Sequence, residues 1–361
     1  MTIHERWFAR KSTVAAVLGL ALGGAAQAQS NITLYGVVDA GLLFRNKSPS
    51  VSTGANSGRQ FSLIDSGSSA SQFGISGLED LGGGLKAQFK LESGFSMVNG
   101  AFNDSNGNMF GRQAWIALSS GLGELKAGLQ FSPFFLSLYE LDPRGLPLFG
   151  SSVVNYVDNV VGTGIFNANA LSYTSPVIAG LQGSVMFALG GEPGNFAAGR
   201  QYSARLKYEN GSLTVEAAIY DGNAGGTAQT PVPTTQAFLG RMLGAAYKFD
   251  KITVKASFTS YKVAGSFSNN VYGGGVDYLV LPDLDLNGGI WFTSDRNQST
   301  NHSIMGAIGA QYFLSKRTTV YGQAGVVNNH GAMNTGLSIN GALNGVTGTS
   351  VGANVGIRHV F

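Results

Sequence analysis

From about residue 31 onward, apolar and polar side chains alternate with a period of two. Residues 85–92 show it most clearly: Leu85, Ala87, Phe89 and Leu91 interleave with Lys86, Gln88, Lys90 and Glu92. In extended backbone, residues i and i+2 share a face, so this segment has one apolar and one charged side. The pattern recurs at 213–220 and 252–259. At the chain's end Val351, Ala353, Val355, Ile357, His359 and Phe361 share one face, while Gly352, Asn354 and Arg358 take the other. The periodicity predicts strands at 31–45, 61–79, 85–98, 109–119, 123–132, 169–176, 181–189, 200–209, 212–221, 237–249, 252–262, 270–279, 284–294, 302–314, 318–327 and 350–361, sixteen in all. No uninterrupted apolar run is long enough for a membrane-spanning helix.

A soluble antiparallel sandwich also alternates. Three features point instead to an all-β, 16-stranded antiparallel transmembrane barrel. The strands approach ten residues, the apolar face is continuous, and connections alternate in length. Short turns (Glu79 to Gly84, Asp250-Lys251, Leu281-Pro282-Asp283, Ser315-Lys316-Arg317) alternate with long Gly/Asn/Ser-rich loops at 46–60, 222–236 and 328–349. The short turns would be periplasmic and the long loops extracellular. An even count puts both ends on the short-turn rim, closure removes the edges that lipid cannot satisfy, and a barrel of this width holds water. Tyr35, Tyr173, Tyr208, Tyr247, Phe249, Tyr278, Tyr312, Phe313 and Phe361 fall near strand ends, where aromatic rings would sit at headgroup level.

Composition narrows the class. The 361 residues include 53 Gly, no Cys and only 12% charged side chains, with a formal net charge of +3. The chain has no disulfide or thiolate metal site, and its 43% hydrophobic content is wrong for disorder. The charge is too small for a nucleic-acid footprint, so no nucleic-acid partner is expected. Arg6, Arg10 and Lys11 precede an apolar run from Val14 to Ala26, and Ala26-Gln27-Ala28 supplies a small-residue cleavage site. Residues 1–28 therefore read as a cleaved export signal and 29–361 as the barrel domain.

Several segments resemble the general diffusion porins of Gram-negative bacteria, of the beta-proteobacterial type. They are Asn31 to Gly41 (NITLYGVVDAG), Gly77 to Ala87 (GLEDLGGGLKA), Phe110 to Trp115 (FGRQAW), Leu314 to Gly322 (LSKRTTVYG) and the closing Val355 to Phe361 (VGIRHVF). These anchors span the mature chain. The resemblance implies a homotrimer in the outer membrane passing small hydrophilic solutes and ions by passive diffusion. It implies contact with outer-membrane lipid and lipopolysaccharide, and recognition by the barrel-assembly machinery through Phe361. It also implies that the third long loop, here about 131–161, folds into the lumen. That loop is rich in Phe, Leu and Tyr, as burial on an inner wall would require. A hydrophobic external loop at a subunit contact is the alternative.

Strand parity assigns side chains to the lumen. Asp39 and Arg45 point inward from the first strand, Lys86, Lys90 and Glu92 from the third, and Glu124 and Lys126 from the fifth. Arg205, Lys207, Lys255 and Arg358 follow from later strands. Glu140, Asp142 and Arg144 come from the infolded loop, and Lys90, Glu140 and Asp142 are the stronger candidates for the constriction. The sequence departs from its relatives' pattern: Gln72 and Leu129-Gln130 stand where many place inward Arg. Arg112 is a further pore-lining candidate whose facing the pattern leaves open: if Ala114, Ile116 and Leu118 meet lipid, Gln113 faces inward and Arg112 lies at the rim. Charge arrays of this kind govern ion preference, and so few inward Arg residues point to weak selectivity. His302, His330 and His359 show no metal spacing, Gly82 to Gly84 lack a following Gly-Lys-Ser/Thr, and no nucleophile–base set is evident. No enzyme activity, metal or cofactor is expected. Two other readings remain: a solute-specific channel, and a surface adhesin or binding module without an open pore.

Overall fold

Apolar residues on alternate positions pack outward and polar ones inward, and the chain closes on itself around the polar face. The structure, a computed structural model, describes residues 31–160, 165–228 and 236–361, so the expected export signal lies outside the described residues. Nineteen strands occur among them: β1 Asn31–Arg45, β2 Gln60–Asp65, β3 Gln72–Gly82, β4 Leu85–Gly94, β5 Gln113–Ser120, β6 Gly123–Phe131, β7 Phe166–Thr174, β8 Leu181–Ala188, β9 Gln201–Asn210, β10 Leu213–Gly222, β11 Phe238–Phe249, β12 Ile252–Val263, β13 Ser268–Leu281, β14 Leu284–Asp295, β15 His302–Phe313, β16 Thr318–His330, β17 Thr335–Ser338, β18 Ala342–Asn344 and β19 Gly348–Val360. Two helices, α1 Pro133–Leu141 and α2 Ser152–Val160, lie between β6 and β7. Every neighbouring pair is antiparallel, and β1 pairs with β19, which closes the ring.

The ring has sixteen staves. β2 and β3 both pair with β1 and together form one interrupted stave, while β17 and β18 form a separate hairpin inside the last long loop. The single strand expected over 61–79 is thus broken. At 66–71 the small residues Ser66 to Ser71 turn inward, with Ser66 at φ 61°, and the Asp39 carboxylate accepts the amides of Ser68 and Ser69 at 3.0 and 2.7 Å in place of ladder partners. The third strand, expected to reach 98, ends at Gly94, and the fourth begins at Gln113 rather than 109. The glycine turn is as expected: Gly82, Gly83 and Gly84 all have positive φ.

The burial is inside-out relative to a soluble protein. Ile116 and Ile308 are 61% and 66% exposed on the outer face, while Glu92, Glu216 and Asn354 are buried within. Such an apolar outer belt is what hydrocarbon requires of a barrel. Tyr173, Tyr247, Phe249, Tyr278 and Tyr312 are exposed toward the short-turn rim. Two expected girdle residues are placed otherwise. Tyr35 faces inward and donates to Glu92 at 2.9 Å, and Phe313 lines the inner cavity. Both lie on the inward parity of their strands. At the seam Phe361 and Gly36 exchange backbone hydrogen bonds of 3.0 Å.

The loop after β6 folds into the barrel. Ser132 caps α1, accepting the Phe135 amide at 3.1 Å, and Pro133 opens the first turn. Phe134, Phe135, Leu138 and Leu141 are buried. The Phe134 ring lies 6.0, 6.4 and 6.3 Å from those of Tyr156, Tyr220 and Tyr261. The wall makes room with glycine: a Cβ on Gly240 would meet the Phe134 ring at 2.9 Å, and one on Gly244 would meet Leu141 at 2.7 Å. The loop therefore rests on β9–β12, and the external-loop alternative is set aside.

Candidate functional site: the narrowed lumen

With α1 and α2 seated against the wall, a cavity of about 670 Å³ lies beside them in the lumen. Its charged lining comprises Lys90, Arg112, Arg144 and Arg358 against Glu92, Asp104, Asp277 and Asp285. Lys90 and Glu92 come from β4, Asp104 and Arg112 from the segment between β4 and β5, Arg358 from β19, Asp277 and Asp285 from β13 and β14 across the ring, and Arg144 from the infolded loop, where it bonds Asn287 and Gln323.

The first cluster is built by register. Lys90 and Glu92 sit two residues apart on β4, so both face inward, and Glu92 pairs with Gln113 on β5 and Gly74 on β3. Glu92 is 1% exposed. It accepts from Lys90 at 3.0 Å, Arg112 Nε at 3.0 Å, Tyr35 at 2.9 Å, Gln113 at 3.2 Å and Gln72 at 3.4 Å. Charged donors there replace the hydration that burial takes from the carboxylate. Five side chains named by sequence reasoning thus converge. Arg112 lies just before β5 yet turns into the lumen rather than standing at the rim, because Glu92 holds it.

The second cluster forms where α1 meets the wall. Glu140 is ion-paired with both Arg205 and Lys207 of β9. Arg205 also holds the buried Glu216 at 2.6 Å, and Lys207 holds Glu209 at 2.6 Å. Desolvation would raise the Glu140 carboxyl, but the hydrogen bonds and charges of Lys207 and Arg205 outweigh it and hold the group below its usual range. Lys255 donates to the carbonyls of Glu140 and Asp142 at 2.8 and 2.9 Å. It thereby caps the C-terminal end of α1 with positive charge, where the helix dipole favours it.

The remaining named residues are placed as anchors. Asp142 is fully buried: its Oδ1 accepts the amides of Arg144 and Leu146, each at 2.8 Å, and its Oδ2 accepts Ser152 N at 2.7 Å. Arg144, also buried, donates to Asn287 at 2.9 Å, Gln323 at 2.8 Å and the carbonyls of Phe149 and Gly150 at 2.7 and 2.6 Å. Burial pulls its guanidinium down to about 10, with Asp142 opposing. Asp39 is buried against the 66–71 inturn and accepts Tyr321 at 2.5 Å. Arg45 lies at the other end of its strand, donating to Gln60 at 2.7 Å, and lines a separate cavity of about 640 Å³ among the long loops. Sequence reasoning missed Asp277 and Asp285 as a pair. Each has inward parity on its strand, and that signal alone could have found them.

A family model described as Gram-negative porin matches residues 12–332. Outer membrane porin protein 32 from Delftia acidovorans is 30% identical, covering 97% of this chain and all of the relative. An outer membrane porin protein from Bordetella pertussis is 29% identical, covering 98% of this chain and all of the relative. Among solved structures, the anion-selective porin from Comamonas acidovorans superposes with a TM-score of 0.79 at 26% identity, covering 92% of this chain and all of that one.

Proposed function

The chain belongs to the Gram-negative porin family, and from that premise we propose that it is a weakly selective pore for passive diffusion of small hydrophilic solutes and ions, working as a homotrimer of water-filled barrels. Its place is the Gram-negative outer membrane. Residues 1–28 act as the export signal and 29–361 as the pore domain. In this reading Lys90, Glu92, Arg112, Gln72 and Gln113 form one face of the constriction. Glu140, with Lys255 at the end of α1, belongs to the facing wall, while Asp39, Asp142 and Arg144 position the segments that narrow the lumen and Arg45 serves the outer mouth. Outer-membrane lipid and lipopolysaccharide surround the barrel, and Phe361 presents the closing strand to the assembly machinery. Nothing in the reading calls for a cofactor or a catalysed reaction.

The observation that carries weak selectivity is the balance of the cavity lining, four basic groups against four acidic ones. A strong anion filter needs an excess of uncompensated cations along the path, and here Arg205 and Lys207 are matched by Glu140, Glu216 and Glu209, while Lys90 and Arg112 are matched by Glu92 and Asp104. Reversal potentials across a planar bilayer in a KCl gradient test this. Small potentials are expected, and a strongly anion-selective result, as the Comamonas relative's name would suggest, overturns it. Conductance in steps of three supports the trimer. Proteoliposome swelling with sugars of graded size ranks the solutes.

A further inference from the structure

The narrowed cavity has an aromatic side. Phe131, Phe135 and Phe166 all line it, with ring centroids 5.4 Å apart for Phe131–Phe135 and 5.5 Å for Phe131–Phe166. Tyr139, also in the lining, is 56% exposed. Phe135 and Phe166 are 8% and 9% exposed and show the cavity only part of their rings, while Phe131 is half-buried. Apolar surface left against water is unfavourable by about 25 cal/mol per Å², so an aromatic solute that covers these ring faces and Tyr139 gains from contact here.

Cationic donors stand at its edge. The Arg112 guanidinium lies over the Phe166 ring, 5.5 Å from its centroid. Its Nε donates to Glu92 and its NH1 to the Asp104 carbonyl, and its NH2 makes no hydrogen bond among the described residues. Lys90 holds Glu92 through one contact of 3.0 Å, and an ammonium has three donors. Lys90 and Arg112 share the Glu92 carboxylate, with Asp104 in the same lining, and their unused donors remain beside the rings. Asp277 and Asp285 lie across the barrel on β13 and β14.

We infer that this junction is a subsite for arylcarboxylates, small organic anions in which a short chain joins a ring to a carboxylate. The carboxylate takes the unused donors of Lys90 and Arg112, and the ring rests on Phe131, Phe135 and Phe166. The cavity volume lies within the roughly 300–1,000 Å³ usual for small-molecule sites. Transit through a pore with such a site requires binding firm enough to enter and weak enough to leave. The inference rests on the pore reading and names the solute class that the same lumen favours.

The test adds 3-phenylpropionate to one side of a bilayer holding the purified full-length protein in KCl, and reads interruptions of the ion current. Interruptions are expected at a concentration about ten-fold below that needed by propionate, the scale of one aromatic contact in a partly wet site. 2-Phenylethylammonium, with the same ring and the opposite charge, should interrupt no better than propionate. Lys90→Gln and Phe166→Leu, each normalised to its own KCl current, should both lose the preference, and Phe131→Leu serves if Phe166→Leu fails to fold. Equal interruption by propionate or by phenylethylammonium overturns the inference, as does an unchanged preference in both the lysine and phenylalanine variants. A protein that conducts KCl but ignores phenylpropionate sinks the inference alone. One that conducts nothing sinks the pore reading with it.

Discussion

Glu92→Gln removes one charge from the cavity. Lys90 and Arg112 contact different oxygens of the carboxylate at 3.0 Å, so the amide oxygen accepts from only one of them and the other is left to water, still within the lumen. The balanced lining then becomes one positive charge in excess. For an ion passing about 6 Å away in water, a unit charge contributes about 0.7 kcal/mol of opposite sign for anion and cation, so the two are separated by about 1.4 kcal/mol. At 0.1 M salt, with a Debye length of about 10 Å, screening cuts this to about 0.8 kcal/mol, or about four-fold in the chloride-to-potassium permeability ratio. At 1 M salt the screening length is about 3 Å and the change shrinks below about 1.5-fold. Reversal potentials of the parent and variant channels, at both salt levels, measure the ratio. A variant whose ratio matches the parent's at low salt, or whose shift is the same at both salt levels, would refute the placement of Glu92 beside the ion path.

Other expectations follow from the packing. Gly240→Val sets a side chain where even a Cβ would stand 2.9 Å from the Phe134 ring. The infolded loop should lift, and single-channel records should show noisier, larger conductance; a quiet channel of parental conductance argues against the seating of α1 on β11. Arg144→Met leaves the Phe149 and Gly150 carbonyls, Asn287 and Gln323 without their donor, which should lower stability by about 3 kcal/mol, read as a lower melting temperature in detergent by circular dichroism. Asp158 accepts from Thr335 at 3.1 Å, and burial pushes its carboxyl up to about 6 against the hydrogen bond, whereas the unfolded value is near 4. Between these values the folded chain holds more protons than the unfolded one, so the group lowers stability as pH rises through about 4 to 6, with a cost of about 3 kcal/mol fully present above. Asp158→Asn should therefore raise the melting temperature at pH 8 and leave it unchanged at pH 4, and an equal shift at both pH values speaks against a buried carboxyl.

The barrel was legible because its defining physics is local. Hydrocarbon outside and water inside impose a period of two on every stave, and a tight turn imposes glycine, so Leu85 to Glu92 and Gly82 to Gly84 each announce their geometry within a few residues. The strand interruption at Ser66 to Ser71 was not legible. It depends on Asp39, a residue on another strand whose carboxylate takes the amides of Ser68 and Ser69. Tyr35 and Phe313 show the limit of nearness to a strand end as a signal: parity decides which side of the wall a ring meets, and both rings lie on the inward side.

For the lumen, parity supplies a direction but neither depth nor company. Asp39, Glu92 and Lys90 all point inward, yet Asp39 is sealed under the inturn, Glu92 lies beneath five donors, and Lys90 keeps 26% of its side chain open to water. What separates them is covering, and covering is set by the infolded loop and by contacts far apart in sequence, such as Arg144 with Gln323. The loop in turn sits where the wall is bare of side chains, at Gly240 and Gly244 of β11. On β11 an inward glycine is thus more than an absence of side chain: Gly240 and Gly244 leave the room that Phe134 and Leu141 fill, and Lys90 and Arg112, away from that contact, keep their access to the cavity.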